Sequence, residues 1–237
     1  MFDVYSLKAR IYPVIILFAP IFVVGFFYTI HFENYLHAAS TFGLVGVMSY
    51  LFSQLGRDQG KIKEPELWNS WGGQPSIQLL RITDGVINKL SKERYHNKLS
   101  QICPLSIAPD YENEKKTPSA SDEIYGAWSK FIITQTRDTQ KFNLLFKENT
   151  SYGFRRNLWA LKALSIGVII ILLIVTYLQA YKEVGSFRVS NFSEAYWFTN
   201  MSLLIILSFW VFIVTKDWVR VAAFAYASRL CEAIDQL

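Results

Sequence analysis

The chain has 237 residues, 51% of them apolar and 16% aromatic, with only 18% charged and a formal net charge of +5. That balance is too oily for an ordinary soluble domain, and two cysteines rule out a zinc cluster built from cysteine alone.

The apolar residues fall into four uncharged runs, at about residues 11–30, 38–55, 163–181 and 196–215. Each approaches the roughly 20 residues that a helix needs to cross a hydrocarbon layer. The pattern predicts an all-α integral membrane protein with four transmembrane helices. A buried core helix is the competing reading, but "SIGVIIILLIVTYL" has no polar stripe at helical spacing. The second run is short and carries Ser40, Thr41, Ser49, Tyr50, Ser53 and Gln54, yet no charge interrupts it. A cleaved signal peptide is the alternative for the first run, given "HAAS" at 37–40, but its apolar core is too long for one.

Charge sets the orientation, because Lys and Arg near span ends stay on the cytoplasmic side. Lys8 and Arg10 precede the first run, and "HFENYLH" after it has neither lysine nor arginine. The segment from Arg57 to Lys162 is rich in both, and Lys216, Arg220 and Arg229 follow the last run. Both termini and the long middle segment are therefore expected in the cytoplasm, with Cys103 and Cys231 reduced. The expected organisation is an N-terminal membrane hairpin at 1–55, a cytoplasmic helical domain at 56–160, a second hairpin at 161–216 and a cytoplasmic helix at 217–237. His31 and His37, with Glu33 between them, lie on the short external connection. Their spacing suits interfacial polar residues better than metal ligands.

Within the middle segment, Glu64 and Pro65 of "EPELWNSW" predict a helix start, and Gly72–Gly73 predict its stop. Pro75 opens one helix or two, with Ile77, Leu80, Ile82, Val86, Ile87, Leu90 and Leu99 as the apolar face and Gly85 as a weak point. His96 reads as a solvated side chain on this stretch. "CPLSIAPDYENEKKTPSASDE" reads as irregular. Helical periodicity resumes with Ser121 and Asp122 as caps, and Ile124, Trp128, Phe131, Ile132, Phe142 and Leu145 on one face, Gln135 interrupting it.

No nucleophile elbow, HExxH, Walker loop or dinucleotide fingerprint occurs, so neither an enzyme nor a cofactor is expected. The runs also lack ionisable side chains, which argues against a pump, a proton-coupled transporter or a voltage sensor. Ala39, Gly43 and Gly46 allow close helix approach. A four-helix protomer is too tight for a central channel, so a pore would form between protomers of a homo-oligomer such as a tetramer. Its lining candidates are Ser49, Ser53, Asn200, Ser202 and Ser208, with ordinary interhelical hydrogen bonding as the competing reading.

"RDQGKIKEPELWNSWGGQPSIQLLR" leaves the second run and places Arg57, Lys61, Lys63 and Arg81 around Trp68, Trp71 and a Gly–Gly turn. Anionic headgroups explain basic residues beside a membrane. The tryptophans lie a dozen residues beyond the span, however, where they are placed to stack bases while the cations meet phosphates. A turn with free N–H groups ahead of a Pro-started helix adds a phosphate cradle. "YGFRRN", with Arg155, Arg156 and Asn157, forms a second basic knot.

Two membrane hairpins around a helical domain, with "RDQGKIKEPELWNSWGGQP" and "YGFRRN" at its edges, resemble the four-helix membrane effectors of bacterial anti-phage systems. Among these are effectors paired with a nucleotidyltransferase in CBASS and Hailong. The resemblance implies a bacterial inner-membrane location, an oligomeric pore gated by a nucleotide or single-stranded oligonucleotide, a nucleotidyltransferase encoded nearby, and abortive infection by membrane disruption. The alternative is a membrane sensor or anchor without a pore that recruits a soluble protein, as in the Kiwa system.

Overall fold

The structure is a computed structural model. It describes residues 4–29, 35–104 and 110–237, with side chains at 28–29 and 35–50 outside the described set. The described residues are helical, with no strand among them. The elements are α1 (Val4–Ser6), α2 (Tyr12–Thr29), α3 (Tyr35–Ser70), α4 (Pro75–Leu80), α5 (Lys89–Ile102), α6 (Tyr111–Lys116), α7 (Pro118–Gln135), α8 (Asn143–Val184), α9 (Glu194–Ser208) and α10 (Lys216–Glu232). One π turn at Leu7–Ile11 joins α1 to α2, and another at Phe209–Ile213 extends α9.

Three helical stretches are long and apolar enough to cross a membrane: Val4–Phe27, Asn143–Val184 and Glu194–Ile213. The expected second span falls on α3, whose backbone is helical throughout. Most of its side chains, with Ala39, Gly43, Gly46 and Ser49, lie outside the described residues, as do those of His31, Glu33 and His37.

The chain divides into two units, Met1–Lys63 with Gly153–Val219, and Glu64–Tyr152 with Arg220–Leu237. The expected boundary at 55/56 thus moves to 63/64, and most of the C-terminal helix joins the middle segment rather than standing alone. The reason is visible in the second unit's core. Ala227, Leu230, Cys231 and Ile234 are buried together with Leu79, Leu80, Tyr95, Leu99, Tyr125, Trp128, Ile132, Phe142 and Leu145. Burying a side chain of this size stabilises by about 1.5–3 kcal/mol, so the C-terminal helix is held by its apolar stripe.

Three local readings change. Glu64 and Pro65 do not start a helix, because α3 runs through them. Pro65 removes the N–H that would serve Lys61, and the unit boundary falls beside it. The Pro75 stretch is two helices: α4 ends at Leu80, leaving Val86 and Leu90 71% and 79% exposed instead of on the apolar face. The "irregular" segment contains α6, and α7 begins at Pro118. Ser121 is therefore buried inside a helix, and Asp122 pairs with Arg81 rather than capping. Gln135 ends α7 and is exposed.

In the first unit, α2, α8 and α9 bury Val14, Leu17, Leu158, Leu161, Ile169, Leu203 and Trp210 in one cluster. Phe18 of α2 meets Phe52 of α3 edge-on, with ring centroids 5.2 Å apart.

Candidate functional site

The nine candidates for the ligand site divide between the units. Arg57, Lys61, Lys63, Arg155, Arg156 and Asn157 belong to the first, and Trp68, Trp71 and Arg81 to the second.

In the first unit three segments meet at Asn157, which is 2% exposed. Its Nδ2 donates to the Ala9 carbonyl at 2.7 Å. Pro13, four residues on, carries no N–H for that carbonyl, so the asparagine supplies the donor that the helix lacks. On the other side, Gly60 lies so close that a Cβ built there would stand 2.2 Å from Asn157 Oδ1. Gly56, one turn earlier, faces Leu161 at 3.2 Å in the same sense. "GRDQG" is thus a small-xxx-small face on which α3 packs against α8. The spacing is plain in the sequence, but the basic residues within it drew attention instead.

Around this knot the segments 4–11, 56–63, 153–162 and 211–219 carry Lys8, Arg10, Arg57, Lys61, Lys63, Arg155, Arg156, Lys162 and Lys216 against only Asp58 and Asp217. Several of these cations are engaged by the fold itself. Lys63 Nζ donates to the Ala160 carbonyl at 3.1 Å, and Arg155 Nη1 to that of Trp218 at 2.9 Å while its guanidinium lies 4.8 Å over the Trp218 ring. Lys162 Nζ donates to the Val211 and Val214 carbonyls, closing the end of the π turn. Arg156 is buried and reaches Asn157 Oδ1. Lys8 and Lys61 are exposed and Arg57 half-exposed, so these three turn positive charge outward.

In the second unit the Gly–Gly turn does not present a phosphate cradle. Gly72 has φ +86° and Gly73 φ +128°, conformations that L side chains rarely adopt. Their N–H groups turn back to the carbonyls of Asn69 and Trp68, closing the end of α3. Trp71 is only 7% exposed, its indole N–H buried without an acceptor. Trp68 Nε1 donates to Tyr152 Oη at 3.3 Å, and that hydroxyl donates to Glu64 Oε1 at 2.6 Å. Arg81 forms a bidentate pair with Asp122 at 2.8 and 2.6 Å, which holds its guanidinium above the usual range despite partial burial.

The densest polar site of this unit escaped the sequence reading. Glu114 on α6 is 3% exposed and accepts from the N–H groups of Ile82 and Thr83, the Thr83 hydroxyl and the Tyr125 hydroxyl. Burial alone would raise its pKa, but these bonds together pull it below the ordinary carboxylate value. Lys92 Nζ donates to the carbonyls of Arg81 and Asp84 and pairs with the Asp84 carboxylate at 3.6 Å. Desolvation nonetheless lowers its pKa. His96 is not a solvated side chain: it donates from Nε2 to the Leu80 carbonyl at 2.8 Å and packs edge-on to Trp128. Burial pushes its pKa down. Together these groups satisfy the backbone of the break between α4 and α5. Nothing in the local pattern signals it, since Glu114 lies more than 30 residues from Thr83.

Among the pore-lining candidates, Ser202 and Ser208 donate to the carbonyls of Phe198 and Leu204 in their own helix. Ser53 is buried. Asn200 accepts from Thr176 Oγ1 at 3.2 Å and donates to the Tyr196 carbonyl at 2.9 Å, an interhelical bond between α8 and α9. Among the described residues no group of three or more metal-ligating side chains is found. Comparison with family models, characterised proteins and solved structures gave no match.

Proposed function

We propose that the chain is an oligomeric inner-membrane effector of anti-phage defence, whose pore forms between protomers under the control of an anionic ligand. The observation that supports this most directly is the cation-rich knot around Asn157. Nine lysines and arginines against two acids gather where an N-terminal segment, α3 and α8 pack on one another. Such a concentration attracts a polyanion, and a nucleotide or short oligonucleotide supplies the phosphates. The ligand meets Lys8, Arg57 and Lys61, the cations that the fold leaves facing outward. Both termini and the helical second unit lie in the cytoplasm, and α3 supplies the fourth span. Ser208, exposed on α9, is the hydroxyl best placed for a pore wall between copies.

Expression of the parent chain and of Arg57→Glu with Lys61→Glu, read by membrane depolarisation and by the 260 nm absorbance of the purified protein, tests this proposal. Loss of bound nucleic acid or nucleotide, with altered depolarisation and unchanged membrane insertion, is expected. A parent that neither depolarises the membrane nor carries such a ligand, but purifies with a soluble protein, supports the pore-free sensor instead.

A further inference from the structure

Between α8 and α9 runs a groove of about 460 Å³, lined at one end by Tyr177, Trp197 and Asn200 and along the rest by aliphatic side chains that include Leu173, Ile174 and Leu204. Its volume falls in the range of small-molecule sites. The gradient follows α9: Trp197 lies near its start at Glu194, while Leu204 lies two turns further in. Asn200, 8% exposed, stands where the two surfaces meet. One N–H of its amide goes to the Tyr196 carbonyl, its oxygen shares the Thr176 hydroxyl with the Leu173 carbonyl, and its second N–H has no acceptor among the described residues. An unfilled donor facing hydrocarbon is costly, and lipid methylenes cannot fill it.

We infer that this groove binds one acyl chain of a membrane phospholipid, its ester carbonyl accepting the second Asn200 N–H and its methylenes lying along Leu173, Ile174 and Leu204. Among the described residues no charged side chain lines the groove, so the headgroup stays outside it, beside Tyr177 and Trp197. The ligand that suits this shape is polar at one end and long and apolar at the other. The inference rests on α8 and α9 spanning a membrane, but not on the pore or its gating.

The test is native mass spectrometry of the full chain in detergent with added phosphatidylethanolamine. One lipid per chain is expected to survive delipidation. Leu173→Trp, which fills the groove, should lower that retention at least tenfold, and Asn200→Leu about three- to tenfold. Lipid carrying bromine on its acyl chain should quench tryptophan emission less in Trp197→Phe than in the parent. The proposal is overturned if no lipid is retained, if the filled groove retains lipid as the parent does, or if Met201→Cys cross-links two copies quantitatively, which would seat a second chain in the groove. A chain soluble without detergent overturns the membrane reading itself, a separate result.

Discussion

Asn157 and Gly60 are a matched pair: the asparagine donates to Ala9 at 2.7 Å only because the residue facing its Oδ1 has no side chain. Any carbon added at Gly60 must displace the amide. Gly60→Ala should therefore destabilise the first unit by about 1–3 kcal/mol, the usual range for overpacking. Asn157→Ala alone leaves the Ala9 carbonyl buried without its donor, at a comparable cost. The double variant should be less destabilised than the two costs added together, because the clash is gone. Thermal unfolding in detergent gives the coupling, and strict additivity would show that the two residues do not meet.

Glu114 makes a sharper prediction in the second unit. Its two oxygens serve four donors, so Glu114→Ala orphans two backbone N–H groups and two hydroxyls at once. A loss of about 3 kcal/mol or more is expected. Glu114→Gln keeps one acceptor oxygen and should fall between parent and alanine. Chemical unfolding followed by tryptophan emission ranks the three, and an alanine variant equal to the parent would remove the network from the account.

The pH response follows from His96 and Glu114, both of which hold their protons less tightly in the folded chain. Burial lowers the folded pKa of His96 below its ordinary 6.5. Between those two values the unfolded chain binds more protons, so stability falls as pH drops below about 6.5 and levels out once the folded imidazole is charged. Glu114, also lowered from 4.5, adds a second loss at more acidic pH. His96→Gln keeps a donor for Leu80 but cannot charge, so it should flatten the first step alone. Melting temperature measured from pH 7.5 to about 2.5 checks both steps.

Lys162 closes the carbonyls at the end of the second π turn. Lys162→Met keeps the stem and removes three donors. It should lower stability by about 1 kcal/mol while leaving Arg155 on Trp218 undisturbed. A melting shift larger in the parent than in the variant on acetylation of surface lysines would corroborate the capping role, and equal shifts would refute it.

Helical periodicity picked out core residues correctly, since Trp128, Ile132, Phe142 and Leu145 are buried and Ile124 and Phe131 pack on them, but they do not form the one continuous face expected, because α7 ends at Gln135 and α8 begins at Asn143. It failed after Leu80, because the chain breaks there for a carboxylate that lies 31 residues beyond Thr83, and no local pattern announces such a partner. The Gly–Gly turn was placed correctly, but its N–H groups were expected to be free when the helix before it claims them. His96 was misread for the same reason that Glu114 was missed: a polar side chain shows its burial only when the distant aromatic residues that cover it are known. The helical class and three of the four expected spans were legible, because composition and run length do not depend on distant contacts.

α8 is a single helix of 42 residues. At about 1.5 Å per residue it is a rod of roughly 63 Å, twice the thickness of a hydrocarbon layer. No proline interrupts it, so its backbone ladder has no built-in break. A hydrocarbon layer can take up only about half of such a rod, so the remainder of α8 has to find its cover in protein or in water.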